Sequence, residues 1–534
     1  MEYQATIGLE IHAELRTKTK MFCASKNDPD EKHPNINICP VCMGHPGTLP
    51  VINEEAVRHV QRVGLALGGE VKKFSRFDRK NYFYPDLPKG YQISQYKHPL
   101  VFGGNLKGVR ITRVHLEEDT ARLIHEARST KHETSSLVDF NRAGIPLMEL
   151  VTEPDMTSAR QAREFAEELQ LVFQYLGVSE ANMEKGEMRC EANVSVKKTE
   201  TAEQRGMGAE GRGTDSVLRN SASDQRNSAT LGIKVEVKNL NSFRSVEKAI
   251  EYEAKRQIEV LESGKKVVQE TRGWDENKEA TFSQRSKESA HDYRYFPEPD
   301  LPPMEFSDDY IEELRATIPE LPAGKRKRFT EEYGISAGLV ETLVRERSLS
   351  AFWEKVISEL REWLSGKTLP GGKKPGFLAV SKPGFEEPGS VEEESYKLAA
   401  NYFTSDLLGL MKEKEIPPNE LLVDPENFAE LIKMIYKKEI NSRVAKDVLR
   451  IMVEHGGDPS TIIESKGLKQ VGDESALSEI AKKTISQNPK AVEDFKKGKQ
   501  QSLQFLVGQV MKETKGTANP EMIREVLTKI IGGV

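Results

Sequence analysis

The chain has 534 residues, 37% of them hydrophobic and 30% charged, and a formal net charge of −6 at pH 7. That length exceeds one ordinary core and implies roughly two to four domains, and no apolar run of about 18 residues is present to serve as a membrane helix. Four cysteines exclude a disulfide scaffold, and the mild acidity excludes a globally basic nucleic-acid binder, so an RNA surface has to be a local patch.

The chain enters a strand within a few residues of Met1, with no basic leader or apolar signal segment, which predicts a cytoplasmic protein. Ile7, Leu9, Ile11 and Ala13 alternate with Gly8, Glu10, His12 and Glu14. The same alternation returns at 188–196, where Arg189, Glu191, Asn193 and Ser195 form the polar set, and at 233–239, where Lys234, Glu236, Lys238 and Asn239 do. A weaker case is Val114–Glu118. Period-2 alternation places one set in the core and the other on the open face of a sheet. If these strands share a sheet, that face is a floor of carboxylates with one imidazole, suited to a hard cation such as Mg²⁺. The plain alternative is a solvated antiparallel face.

Cys23, Cys39 and Cys42 lie within 20 residues in a chain with four cysteines. The Cys39-Pro40-Val41-Cys42 knuckle is half of a zinc site, whose fourth ligand is His33, His45, Asp28 or none. The loop Arg79–Gln92 interleaves aromatics with cations, as base-stacking or phosphate-gripping loops do, although its tyrosines can equally pack it onto a sheet. His115–Asp119 and Val138–Glu149 are acidic. Glu149 sits in an apolar run, so its carboxylate has to meet a cation or an arginine, with Arg142 a candidate partner or phosphate clamp.

A helix is predicted over 157–176, capped by Thr157 and stopped by Gly177, and another over 244–262. Segments 198–230 and 366–394 are too poor in apolar residues to order themselves and read as insertions. The donors of Arg285–Pro297 suggest a cleft lip. The four prolines of 295–304 mark a seam, beyond which the chain reads as almost wholly helical. Asp424-Pro425 opens a helix there. Residues 466–534 carry 12 Lys plus Arg against 8 Asp plus Glu, a net of +4, and Lys482, Lys483, Lys490, Lys496, Lys497 and Lys499 cluster there. No Walker loop, G-x-G-x-x-G or G-x-S-x-G is present.

These blocks together resemble the B subunit of the tRNA-dependent amidotransferases, which convert Glu-tRNA(Gln) or Asp-tRNA(Asn) to the amidated forms. The resemblance runs through Ile7–His12, Arg79–Tyr84, Lys89–Gln95, His115–Asp119, Val138–Pro154, Met188–Val194, Glu236–Phe243, Glu270–Arg272, Asp292–Pro299, Gly498-Lys499 and Phe505–Lys512. It implies an α+β protein: a cradle domain on an antiparallel sheet with helices (1–303), an all-α domain (304–422) and an all-α tRNA-binding tail (423–534). It implies ATP and Mg²⁺ to phosphorylate the tRNA-borne carboxylate. Ammonia then comes from a partner amidase subunit, and the heterotrimer is completed by a small belt-like subunit.

Carried onto this chain, the Mg²⁺ ligands are Glu10, His12, Glu118, Glu149 and Glu191, and Arg142, Lys238 and Asn239 face the acyl phosphate, ATP or tRNA terminus. The tRNA contacts are Lys482, Lys483, Lys496, Lys497, Lys499 and Lys512. Some members carry a further cysteine beside the first, where this chain has Ser25, which bears on structural Zn²⁺. Segment 198–230 is too short for the synthetase-like insert of the archaeal relative. A non-catalytic tRNA-binding scaffold and a stand-alone carboxylate ligase are the competing readings.

Overall fold

The structure is a computed structural model and describes residues 3–126, 135–198, 232–286, 294–364, 388–468, 474–514 and 518–532. The insertion at 198–230 and the 287–293 part of the predicted cleft lip lie almost wholly outside them. So does most of 366–394, but its acidic end lies inside and is helical. Glu392–Glu394 belong to the helix Pro388–Asn401, where Glu393 pairs one turn on with Lys397 at 2.6 Å. The chain divides into two compact units, Met1–Pro322 and Ala323–Val534.

The first unit is built on a sheet whose main strands are β1 (Tyr3–Glu14), β2 (Val109–Glu118), β3 (Pro146–Thr152), β4 (Met188–Lys198), β5 (Val235–Leu240), β6 (Glu270–Asp275) and β7 (Ala280–Ser286). Their order is β7-β6-β5-β4-β1-β3-β2, followed by the short strands Val101–Phe102 and Glu70–Val71. Pairing is antiparallel throughout except between β5 and β6. Those two are joined through helix α3 (Phe243–Glu262), the long crossover that a parallel pair needs.

Ile7, Leu9, Ile11 and Ala13 of β1 and Met188, Cys190, Ala192 and Val194 of β4 all point into one core. Helices α1 (Glu54–Ala66) and α2 (Ala159–Leu176) close it, α2 with Phe165, Ala166, Leu169, Val172 and Phe173. The cap of α2 is Ser158, one residue later than predicted. The Ser158 side chain accepts from Gln161 N–H, while Gln161 reaches back to Thr157 N–H, and Gly177 ends the helix at φ 68°. In α3 the inward stripe is partly polar. Glu253 is fully buried and held by Arg256, Gln257 and Thr281.

The proline-rich seam contains a strand. Arg294–Pro297 pairs with Asp78–Asn81, which pairs with Tyr91–Ser94. Pro297 is tolerated because it ends an edge strand. Beyond it Phe306, Tyr310 and Ile311 pack on the first core, so the first unit runs past the predicted boundary to Pro322.

Arg79 is absorbed by this arrangement. It makes a bidentate pair with the fully buried Glu298 at 2.7 and 2.8 Å and lies 4.3 Å over the Tyr91 ring. The Tyr82 hydroxyl donates to Gln92, leaving Phe83 and Tyr84 as the exposed aromatics of that loop.

In the second unit Trp353, Phe403 and Phe428 are fully buried and meet edge to face. Asp424 caps Pro425–Tyr436 as predicted. The helices Glu474–Gln487, Pro489–Lys496, Gln500–Glu513 and Pro520–Gly532 form a bundle with its own core of Leu477, Leu506, Val510, Ile523 and Leu527. Among the described residues no helix is long and apolar enough to cross a membrane.

Replacing Arg79 by Ala strands the Glu298 carboxylate, and breaking such a pair costs about 3 kcal/mol. The expected outcome is a lower melting midpoint for the Arg79→Ala chain, measured by calorimetry, with a smaller loss for Arg79→Lys.

Candidate metal centre

Register assembles the polar face. Along β1, Glu10, His12 and Glu14 share one side because their neighbours enter the core. His12 stands opposite Glu149 of β3 and Arg189 of β4, and Glu149 stands opposite His115 of β2. The next row holds Glu191, Glu10, Val151 and Arg113. His12 Nε2 lies 3.3 Å from Glu149 Oε2 and 3.9 Å from both Glu10 Oε1 and Glu117 Oε1. His115 Nε2 lies 3.4 Å from the same Glu149 oxygen. Glu10, His12 and Glu149 bring one donor atom each within 4.8 Å of one another. A pair of carboxylates with an imidazole fits a hard divalent cation that tolerates one nitrogen.

Burial and proximity shift four titrations here. Burial, reinforced by the Glu149 charge, pushes Glu10 up to about 6. Burial alone would depress His12, but contact with Glu149 and the charges of Glu149, Glu117 and Glu10 push it up to about 9. Glu149 is held well below the usual carboxylate range, against its burial, by His115 and His12. Lys80 is likewise raised against its burial by Glu117 and Glu149.

Of the predicted ligands, Glu10, His12 and Glu149 converge. Glu191 faces Glu10 across the strands but is bonded to Lys238 at 2.9–3.0 Å. Glu118 lies apart. It has the same parity as Val114 and Leu116, and its carboxylate is engaged by Lys89 and by the Ile93 N–H at 2.9 Å. The residues on the floor from that segment are His115 and Glu117, which sequence reasoning passes over. The signal is present, because strict alternation with Val114 and Leu116 selects 115 and 117.

Two further arrangements flank the floor. Arg142 donates to the carbonyls of Thr120 and Ala121 and lies 3.6 Å from Asp119, which Arg189 also grips. Those two arginines hold Asp119 low against its burial, while burial and the Asp119 charge push Glu14 up to about 8. Between β4 and β5 a register shift leaves Lys238 and Asn239 opposite Glu191, with exposed Asn239 at φ 66°. Such a bulge re-aims side chains, here turning Lys238 onto Glu191.

Comparisons with known proteins identify the family. Residues 5–312 match the family described as the GatB/GatE catalytic domain, and residues 385–531 match the GatB domain. The B subunits of the aspartyl/glutamyl-tRNA(Asn/Gln) amidotransferases of Thermotoga petrophila and Thermotoga maritima are each 43% identical over 541 residues, covering 100% of both chains. That of Caldicellulosiruptor saccharolyticus is 42% identical over 538 residues, covering 99% of this chain and 98% of its own. The chain belongs to the family of amidotransferase B subunits.

Within this family member the three thiols do come together. Cys39 Sγ and Cys42 Sγ are 3.9 Å apart, and Cys23 joins them within the spacing a shared ion needs. Among the described residues no fourth donor completes the set. Asp28 is paired with Lys26 and His33 with Glu31, and His45 is outside the group. Instead the buried Lys20 ammonium lies 3.8 Å from Cys42 Sγ and Ser25 Oγ lies 3.9 Å from it. A hydrogen bond from Cys23 and the Lys20 charge hold Cys42 below the usual thiol range, and the same bond pushes Cys23 up. Three thiols and an ammonium do not fit a closed structural zinc site, which takes four ligands.

In the tail all six predicted lysines are exposed. Lys483 lies 3.6 Å from Glu513, Lys497 3.5 Å from Glu493, and Lys499 donates to Asp494 at 3.0 Å.

Ser25→Cys supplies the missing thiolate beside Cys42. Elemental analysis of the purified variant is expected to give about one zinc per chain, against a small fraction in the wild type, since a four-thiolate set is a closed site.

Proposed function

We propose that the floor of β1, β3 and β2 is where the side-chain carboxylate of a tRNA-borne Glu or Asp is activated by ATP. The observation that carries this reading is the convergence of Glu10, His12 and Glu149 inside the segment that matches the family's catalytic domain. A carboxylate resists attack by ammonia because its leaving group would be oxide. Transfer of the γ-phosphoryl group to one carboxylate oxygen releases ADP and leaves an acyl phosphate. Ammonia then attacks the acyl carbon, the C–O bond to phosphate breaks, and the amide remains.

Glu10, His12 and Glu149 are the residues that would hold Mg²⁺, and a bound cation would offset the negative charge of the transferring phosphoryl group. The chain's own groups set the surroundings. Lys238 and Asn239 stand on the bulge at the rim, where Lys238 has Glu191 as its carboxylate partner until an anion competes for it. Arg142 and Arg189 fix Asp119 and so fix the turn that follows β2. Glu118 serves as a positioning residue, tying Lys89 and Ile93 to the end of that strand. Ammonia is delivered by the partner amidase, the small belt-like partner holds the complex together, and the exposed lysines of the tail contact tRNA.

In the assembled complex, Glu10→Ala and Glu149→Ala are each expected to abolish ATP-dependent amidation of Glu-tRNA or Asp-tRNA while leaving tRNA binding intact. Unchanged amidation would remove the floor from the mechanism and favour a scaffold role. Reversing Lys482, Lys483, Lys496 and Lys497 to Glu together is expected to weaken tRNA binding by about tenfold or more and to flatten its salt dependence, as lost phosphate contacts do. Filter binding over a salt series measures both.

A further inference from the structure

We propose that Tyr96, stacked on Tyr295 at the rim of the floor, is the platform on which the terminal base of the tRNA substrate lies while its aminoacyl group is activated. This rests on the reading of the floor given above and adds a positioning residue to it. The pair belongs to the small sheet formed by Arg294–Pro297, Asp78–Asn81 and Tyr91–Ser94. Tyr295, Lys80 and Gln92 are cross-strand neighbours and share one face of that sheet. The Tyr96 and Tyr295 rings are stacked, with centroids 4.3 Å apart and planes 12° from parallel.

That face is fixed beside the floor. The Gln92 side chain donates to the Glu118 carbonyl at 2.7 Å, and the Gln95 side chain accepts from the Leu116 N–H at 3.1 Å, so the segment leading to Tyr96 is tied to β2. Lys80 lies within electrostatic reach of Tyr295, Glu117 and Glu149. The backbone of Tyr96 is held as well, since its N–H donates to Asp78 Oδ2 at 3.0 Å. Tyr96 is nonetheless 55% exposed, although Tyr295 covers one face of its ring. A ring held still with so much of its surface in water is ready to stack, and it can take any base because each has a π-face. Lys97 and Arg294, the chain neighbours of the two tyrosines, are exposed and supply positive charge for a phosphate.

The plain alternative is a surface pair of tyrosines that pack on each other and bind nothing. A second is the adenine of ATP as the occupant. Against the first stands the chemistry of the substrate. Its amino acid is esterified to the terminal ribose, so a side chain held on the floor brings the base of that same nucleoside to the rim. Against the second stands the rest of the small sheet. It exposes aromatics at its other end, Phe83 at 88% and Tyr84 at 60%, in the loop beyond Asn81. Exposed rings at both ends of one sheet suit a run of unpaired nucleotides, whereas ATP offers a single base.

The test uses the assembled complex and a misacylated tRNA carrying 2-aminopurine in place of its terminal adenine, a base whose fluorescence falls on stacking. Quenching is expected on binding to the wild type and to Tyr96→Phe, and its loss is expected in Tyr96→Ala. With ordinary Glu-tRNA or Asp-tRNA, Tyr96→Ala should lower kcat/KM for the tRNA by about tenfold or more, the scale of one base–aromatic stack, with KM for ATP unchanged. Tyr96→Phe, which keeps the ring, should restore wild-type kinetics. No quenching by the wild type, or quenching that survives in Tyr96→Ala, would overturn the platform. A Tyr96→Ala defect confined to KM for ATP would overturn it too and give the ring to ATP. Glu10→Ala, assayed alongside, separates the two failures. Amidation lost in Glu10→Ala with Tyr96→Ala unaffected overturns the platform alone, whereas unchanged amidation in Glu10→Ala removes the floor and the platform with it.

Discussion

One pairing register governs the site. β1 lies between β3 and β4 with His12 opposite Glu149 on one side and Arg189 on the other. A slip of one residue would send Glu10, His12 and Glu14 into the core and Ile7, Leu9 and Ile11 to the floor. What prevents the slip is the apolar half of the strand. Ile7, Leu9, Ile11 and Ala13 are fully buried against α2 and the inward residues of β4, so the hydrophobic side of β1 aims the chemistry on its other side. The polar face needs no conformational invention of its own; it is what remains once the core has been filled.

That face then has to tolerate a density of charge that water would ordinarily disperse. Glu149 is the hub. It is buried, it accepts two imidazoles through one oxygen, and it stays ionised because both stand beside it. His12 is kept cationic by the same acids, and Glu10, with less compensation, is pushed toward neutrality. Beside this lies a second network in which Arg142 and Arg189 stabilise Asp119. Both networks leave buried polar atoms without hydrogen-bond partners among the described residues, His115 Nδ1 and Glu117 Oε2 in the first and Arg189 Nε in the second.

Much of this is legible in one dimension. The strands around Ile7–Ala13 and Met188–Val196, the helices ending at Gly177 and beginning at Asp424, and the change from mixed to helical character all follow from local periodicity and capping. So does the placing of Glu10 and His12 on one face. The choice of Glu118 shows the limit. At the end of a strand a carboxylate has two environments within reach, and the Lys89 ammonium and the Ile93 amide, both distant in sequence, claim it. Arg79 is open to a ligand by composition alone, yet Glu298, more than two hundred residues away, binds it. The proline-rich seam yields an edge strand because Pro297 needs to supply no hydrogen bond there.

The sequence by itself determined which residues alternate, where helices start and stop, and, through long matching blocks, which family the chain joins. These properties depend on neighbours a few positions apart or on order along the chain. Only the tertiary structure decided which alternating strands became neighbours, and so that Glu149 stands between two histidines, that Glu191 answers to Lys238, and that Lys20 lies beside the three thiols. The first two outcomes are set by strand order and register and the third by the packing of irregular chain, across gaps of 20 to more than 100 residues. Local pattern carries no information about partners at that range, because a period-2 strand presents the same polar face to whichever strand it meets.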